Sequence, residues 1–127
     1  MIDLLRHKGI EIIISNKDVA HFEDTKELIN SVNGKIIGVF HLALILEDCL
    51  FKNMSKEKWD NVVGVKAKGA IHLDQLTKSS AVKYFVVFSS MSGARGIIGQ
   101  TNYGFGNSVM EQVCSLRAKE GFHAFMT

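Results

Sequence analysis

Proline is absent from this chain. Breaks in helices and strands must therefore come from glycine, serine and asparagine, and the 11 glycines supply most of them. Cysteine is scarce. Cys49 and Cys114 stand far apart without metal-ligand spacing. A single disulfide is formally open, but two free thiols in a reducing compartment fit better. The five histidines form no HExxH and pair with no CxxC, so no metal site is read. Charge of one sign is nearly balanced, at a formal net +2, and the lysines are dispersed. That excludes a nucleic-acid footprint. No apolar run reaches the length of a membrane span. Asp3, Arg6, His7, Lys8 and Glu11 interrupt any signal-peptide core at the N-terminus. A cytoplasmic protein is the expectation.

What is present suits a folded unit. In 127 residues, 46% are hydrophobic and 22% charged, enough apolar material for one core. Brief β-branched or apolar runs occur at residues 10–15 (IEIIIS), 36–43 (IIGVFHLA) and 83–89 (KYFVVFS), and HAFMT begins another. Between them lie helical patterns at about 21–32, 55–77 and 101–119. Ser55 is a good N-cap, although Lys58 at N3 misses the capping box. Asn33-Gly34 and Gly121 are the helix stops.

Unalternating strands separated by helices predict an α/β fold with a parallel sheet covered on both faces. Ligands of such sheets bind beyond the carboxyl ends of the strands. Residues 15–18, 41–48 and 89–99 lie at such ends. The chain reads as beginning mid-fold and ending mid-strand.

One of these ends carries most of the chemistry: FSSMSGARGIIGQTNYGFGNS, from Phe88 to Ser108. Its glycines do not spell GxGxxG or a P-loop. A flexible loop with positive φ is the plainer reading of Gly93 to Gly99. Tyr103 and Asn107 are four apart and share a helix face, and Ser90 sits just past a strand. A phenol with an ordinary pKa near 10 is a poor acid-base group unless a cation stabilises its anion. Lys66, in GVKAKGAIHLD among core-facing residues, could do this; Lys68 points elsewhere. Each part also has a plain alternative: a surface tyrosine and asparagine, a serine turn, a snorkelling lysine.

The combination is more specific. GVFHLALILEDCLFKNMSKEKWDNVVGVKAKGAIHLDQLT followed by YFVVFSSMSGARGIIGQTNYGFGNSVMEQVC resembles the ketoreductase domain of animal fatty acid synthase, the insect-like type included. It is also similar to the ketoreductases of modular polyketide synthases. Both belong to the short-chain dehydrogenase/reductase superfamily. The resemblance runs from about Gly9 to Thr127 and implies a Rossmann-like three-layer parallel sheet. That sheet is incomplete, because the first βαβ unit with its glycine-rich loop is missing. Residues 1–127 would be the C-terminal part of one ketoreductase domain.

The resemblance implies roles. Tyr103 would protonate the oxygen formed when hydride reaches a β-carbonyl, and Ser90 would hydrogen-bond that oxygen. Lys66 would lower the tyrosine pKa and hold the cofactor ribose, and Asn107 would complete the tetrad and support a proton relay. Asp18 would lie at the adenine, with His41, Leu42 and Ala43 at the ribose and nicotinamide. Leu46-Glu47-Asp48 resembles an LDD motif, so Asp48 would direct formation of the 3R alcohol. NADPH is implied by the family alone. The substrate would be an acyl-carrier-protein thioester. The partners would be the other domains of a homodimeric synthase. The alternatives are a catalytically dead fragment or interaction module, favoured by the absent phosphate loop, and a polyketide synthase ketoreductase.

Overall fold

The computed structural model describes residues 1–127. Its elements are α1 (Ile2–His7), α2 (Phe22–Asn30), β1 (Gly38–His41), α3 (Lys56–Val63), α4 (Gly69–Thr77), β2 (Tyr84–Val87), α5 (Met91–Arg95), α6 (Thr101–Lys119) and β3 (Phe125–Met126). A short 3-10 turn spans Phe51–Asn53, and one π turn, Gly64–Lys68, joins α3 to α4.

The three strands are parallel in the order β1-β2-β3. Gly38 pairs with Tyr84, His41 with Val87, and Val86 with Phe125. Phe85 and Val87 are fully buried and meet Ala70 and Leu73 of α4 and Met110 and Cys114 of α6 in the main core cluster. A strand turns alternate side chains to opposite faces. Accordingly Phe40, Tyr84 and Phe125 stand exposed on the other side. The sheet is covered on one face where both were expected. The parallel Rossmann-like order is as expected.

Several local readings hold. Ser55 caps α3 by accepting the Lys58 N–H at 3.2 Å. Gly34 and Gly121 take φ of +106° and +88° where α2 and α6 have ended. The helix expected over 101–119 forms with those limits. Its buried positions Asn102, Gly106, Met110, Cys114 and Arg117 make one stripe at helical spacing.

Two expectations are corrected. Residues 10–15 form no strand. Ile13 and Ile14 are 57% and 70% exposed. A strand is held by a partner's backbone, and the free edge of β1 does not reach this segment. Residues 93–99 are not all loop: α5 runs through Arg95, capped by Ser90, whose hydroxyl accepts the Ser92 N–H. Positive φ is confined to Gly96 and Gly99.

Candidate functional site

The site is built where α4, α5 and α6 approach the carboxyl ends of β1 and β2. Its centre is Lys66, only 2% exposed. It lies in the π turn, where one extra residue per turn shifts the side chains that follow; such bulges frequently mark functional positions. Its ammonium donates to Asn107 Oδ1 at 2.9 Å and to the Phe88 carbonyl at 3.1 Å. It also lies 4.9 Å from the centroid of the Tyr103 ring. No carboxylate pairs with it. Burial alone lowers its pKa from 10.5 to about 8.

Asn107 is fully buried and ties the group together. Its amide donates to the Tyr103 carbonyl at 2.9 Å and to Ser92 Oγ at 3.4 Å, while its oxygen accepts from Lys66. The glycines around Tyr103 permit this closeness. A Cβ on Gly106 would sit 3.0 Å from the Cβ of Lys66, and one on Gly104 would sit 3.0 Å from the Ser92 carbonyl oxygen. A side chain at either place would push α6 off the π turn or off α5. Ser90, at the start of α5, is half-buried next to this face.

Lys66, Tyr103 and Asn107 are thus brought into one network, and Ser90, the cap of α5, is linked to it through Ser92, whose N–H it accepts and whose hydroxyl accepts from Asn107. The other expected residues fare differently. Asp48 lies on a loop bound to the segment before Tyr103: Gln100 donates to its carboxylate at 2.8 Å, and the Cys49 N–H donates to the Gly99 carbonyl at 2.9 Å. His41 is buried, with Nε2 3.2 Å from the Lys66 carbonyl oxygen. Desolvation lowers its pKa, which favours a neutral ring donating that bond. Its side chain therefore faces the π turn, not an open ribose site. Leu42 and Ala43 line an apolar cavity along β1 of about 480 Å³ with Val19, Leu28 and Ile29. Asp18 lies outside the network, accepting the Ala20 N–H at 2.9 Å and lining a separate cavity with Asn61 and Lys68.

Three participants were not singled out in the sequence. Ser92 is buried and bonded to Asn107. Asn102 is buried, and its amide reaches the carbonyls of Glu47 and Lys58. Glu111 accepts a hydrogen bond from Ser89. Asn102 and Glu111 could have been found from their fixed offsets from Tyr103 along one helix.

A reduced nicotinamide dinucleotide, the group the resemblance implies, can be tested against these residues. Lys66 and Tyr103 offer donors suited to ribose hydroxyls at the strand ends. No GxGxxG turn lies in the 127 residues to cradle a pyrophosphate. The fit is therefore to the nicotinamide–ribose end.

The KR domain family model matches residues 1–126. Among curated relatives, the hybrid PKS-NRPS synthetase mycA of Thermothelomyces thermophilus is 36% identical over 122 residues, covering 94% of this chain and 3% of that protein. The reducing polyketide synthase DEP5 of Alternaria brassicicola is 32% identical over 123 residues, covering 95% of this chain and 5% of that protein. Among solved structures, the first ketoreductase of the tylosin PKS superposes with a TM-score of 0.88 at 32% identity, over 98% of this chain and 27% of that one. A short chain dehydrogenase from Mycobacterium avium, at 23% identity and a TM-score of 0.86, shares the fold over 94% of this chain and 45% of that one. The chain thus spans a few per cent of these large synthases. The expected fatty acid synthase type is not supported by these relatives, which are of polyketide synthase type.

Proposed function

The chain belongs to the KR, or ketoreductase, domain family, and from that premise we propose that it supplies the proton-donating half of a β-ketoacyl thioester reductase in a polyketide-type synthase. The single observation that carries this is the buried Lys66 ammonium, bonded to Asn107 and held beside Tyr103 with no carboxylate to neutralise it. A purely structural lysine would be paired or exposed. NADPH is the proposed cofactor, and when bound its nicotinamide supplies the hydride.

Tyr103 delivers the proton. As hydride adds to the carbonyl carbon, the carbonyl π bond opens and the oxygen takes the phenolic hydrogen. A secondary alcohol and a phenolate result, and solvent returns the proton through the polar groups around Asn107. Lys66, as a cation at close range, stabilises the phenolate. Asn107 fixes the ammonium relative to the ring. Ser90 hydrogen-bonds the same oxygen and orients the carbonyl. Asp48, on the loop bound to Gln100, sets the face that yields the 3R alcohol. Asp18, Leu42 and Ala43 are proposed to flank the cofactor, with the His41 backbone at the strand end. The native substrate is an acyl-carrier-protein thioester. The 127 residues form the later part of one ketoreductase domain working beside other synthase domains, in a homodimer and in the cytoplasm.

A fatty acid synthase would use the same residues. The polyketide reading is preferred because relatives at 31–36% identity are polyketide-type synthases.

The test uses the native polypeptide carrying these residues, with a diffusible β-ketoacyl thioester and NADPH oxidation as readout. Tyr103→Phe lowers kcat by about 100-fold or more and leaves NADPH binding largely intact. Near-normal turnover of that variant removes the proton-donor role. An unsubstituted protein that never consumes NADPH removes the reading itself.

A further inference from the structure

Glu111 has no part in the chemistry above, yet it is a carboxylate on the same helix as Tyr103 and Asn107. Glu111 follows Asn107 by four residues, as Asn107 follows Tyr103, so the three lie along one face of α6. Its Oε1 accepts a hydrogen bond of 2.5 Å from Ser89 Oγ. Ser89 is the residue before Ser90. Its own N–H donates to the Thr127 carbonyl at 2.8 Å. The backbone between β2 and α5 is therefore held on one side through Ser89, just where Ser90 must be aimed.

Apart from this, Ser90 is held only by bonds within its own turn, its carbonyl accepting the Gly93 N–H at 3.0 Å. Its hydroxyl contact is a 3.3 Å bond from the Ser92 N–H. α5 is only five residues long, too short to be rigid by itself. A charge-assisted bond from a long, packed helix is a stronger anchor than either. Glu111 and Ser90 also line one cavity with Ser89, Met91 and Ala94.

We propose that Glu111 is a positioning residue: through Ser89 it sets where the Ser90 hydroxyl stands relative to Tyr103. This rests on the ketoreductase reading. Because the bond is made to Ser89 and not to Ser90, its loss changes where the Ser90 hydroxyl points without removing the hydroxyl itself.

The experiment is a mutant cycle in the native polypeptide carrying this chain, again with a diffusible β-ketoacyl thioester. Glu111→Ala lowers kcat about tenfold with KM nearly unchanged. Glu111→Gln, which keeps an acceptor oxygen for Ser89, restores most of the rate. Ser89→Ala matches Glu111→Ala, and the double variant loses no more than either. In a Ser90→Ala background, Glu111→Ala has no further effect. An equal loss in that background would mean that Glu111 acts on the fold at large, and the proposal fails. Hydrogen exchange supplies a readout independent of turnover. Glu111→Ala speeds amide exchange in peptides covering residues 88–95 and leaves β1 unchanged. Unchanged exchange in 88–95 overturns the proposal even if the protein reduces nothing. Changed exchange in a protein without ketoreduction removes the ketoreductase reading and keeps the Glu111–Ser89 anchor.

Discussion

Two buried cations meet at α6, Arg117 on the helix and Lys66 packed against it, and they are treated in opposite ways. Arg117 is 1% exposed, near the C-terminal end of the helix. Its Nη1 donates to Asp74 Oδ1 at 2.7 Å and to the Asp74 carbonyl at 3.3 Å, and its Nε donates to the His123 carbonyl. Its guanidinium lies 4.4 Å from the Phe85 ring centroid and 5.5 Å from that of Phe122. Lys78 completes the group by bridging Asp74 and Glu120. Lys66, at the other end of the helix packing, is as deeply buried but meets only neutral oxygens and an aromatic ring. A paired buried cation locks structure together. An unpaired one keeps its field for whatever enters the site, and its lowered pKa records the desolvation cost.

The largest expected effect tests the paired side. Asp74→Ala leaves Arg117 charged and uncompensated, at a cost of about 3–5 kcal/mol in urea unfolding. Lys66→Met removes a charge that has no counter-ion. It leaves the unfolding midpoint unchanged or raises it, while ketoreduction collapses. Comparable destabilisation by both substitutions would break the contrast.

A smaller effect follows from pH. The folded pKa of Lys66, about 8, lies below its ordinary 10.5. Between those values the unfolded chain binds more protons, so this residue's burden on stability is full below about pH 8 and fades as pH rises towards 10.5. Turnover that needs the cation runs the other way and falls as pH climbs through about 8. A pH–rate profile with no basic limb near that value would contradict the assignment.

The smallest effect concerns Cys114, one turn from Arg117. Burial pushes its thiol pKa up, while the pull of Arg117 is opposed by Asp74. Alkylation at pH 8 is therefore slower at Cys114 than at the half-buried Cys49. Rapid labelling of Cys114 would show that Arg117 is not neutralised in its pocket.

Much of the site was legible because it is local. Tyr103 and Asn107 share a face by their spacing alone, and α6 formed with the expected limits. Ser90 was readable as a serine just past a strand, and Lys66 stood out as a cation among core positions. Ile10–Ser15 misled because β-branched composition states a preference for pleated backbone, whereas pairing needs a neighbour at hydrogen-bonding distance. The direction of the His41 ring, which faces the Lys66 carbonyl, was not legible because a position at a strand end does not reveal which way a ring points. The roles proposed for these residues come from the family resemblance, and the preference for a polyketide type over a fatty acid synthase type comes from comparison with relatives.

The sequence by itself determined the alternation of helices and short apolar strands, the parallel order that follows from it, and the residue types able to move a proton. These follow from periodicity, capping and side-chain chemistry, all short-range. Only the tertiary structure decided that Lys66 goes unpaired while Arg117 meets Asp74, that His41 props the π turn, and that Glu111 holds Ser89. Those outcomes depend on which residues distant in the chain share a buried space, and in that space a charge is worth what its neighbours make it.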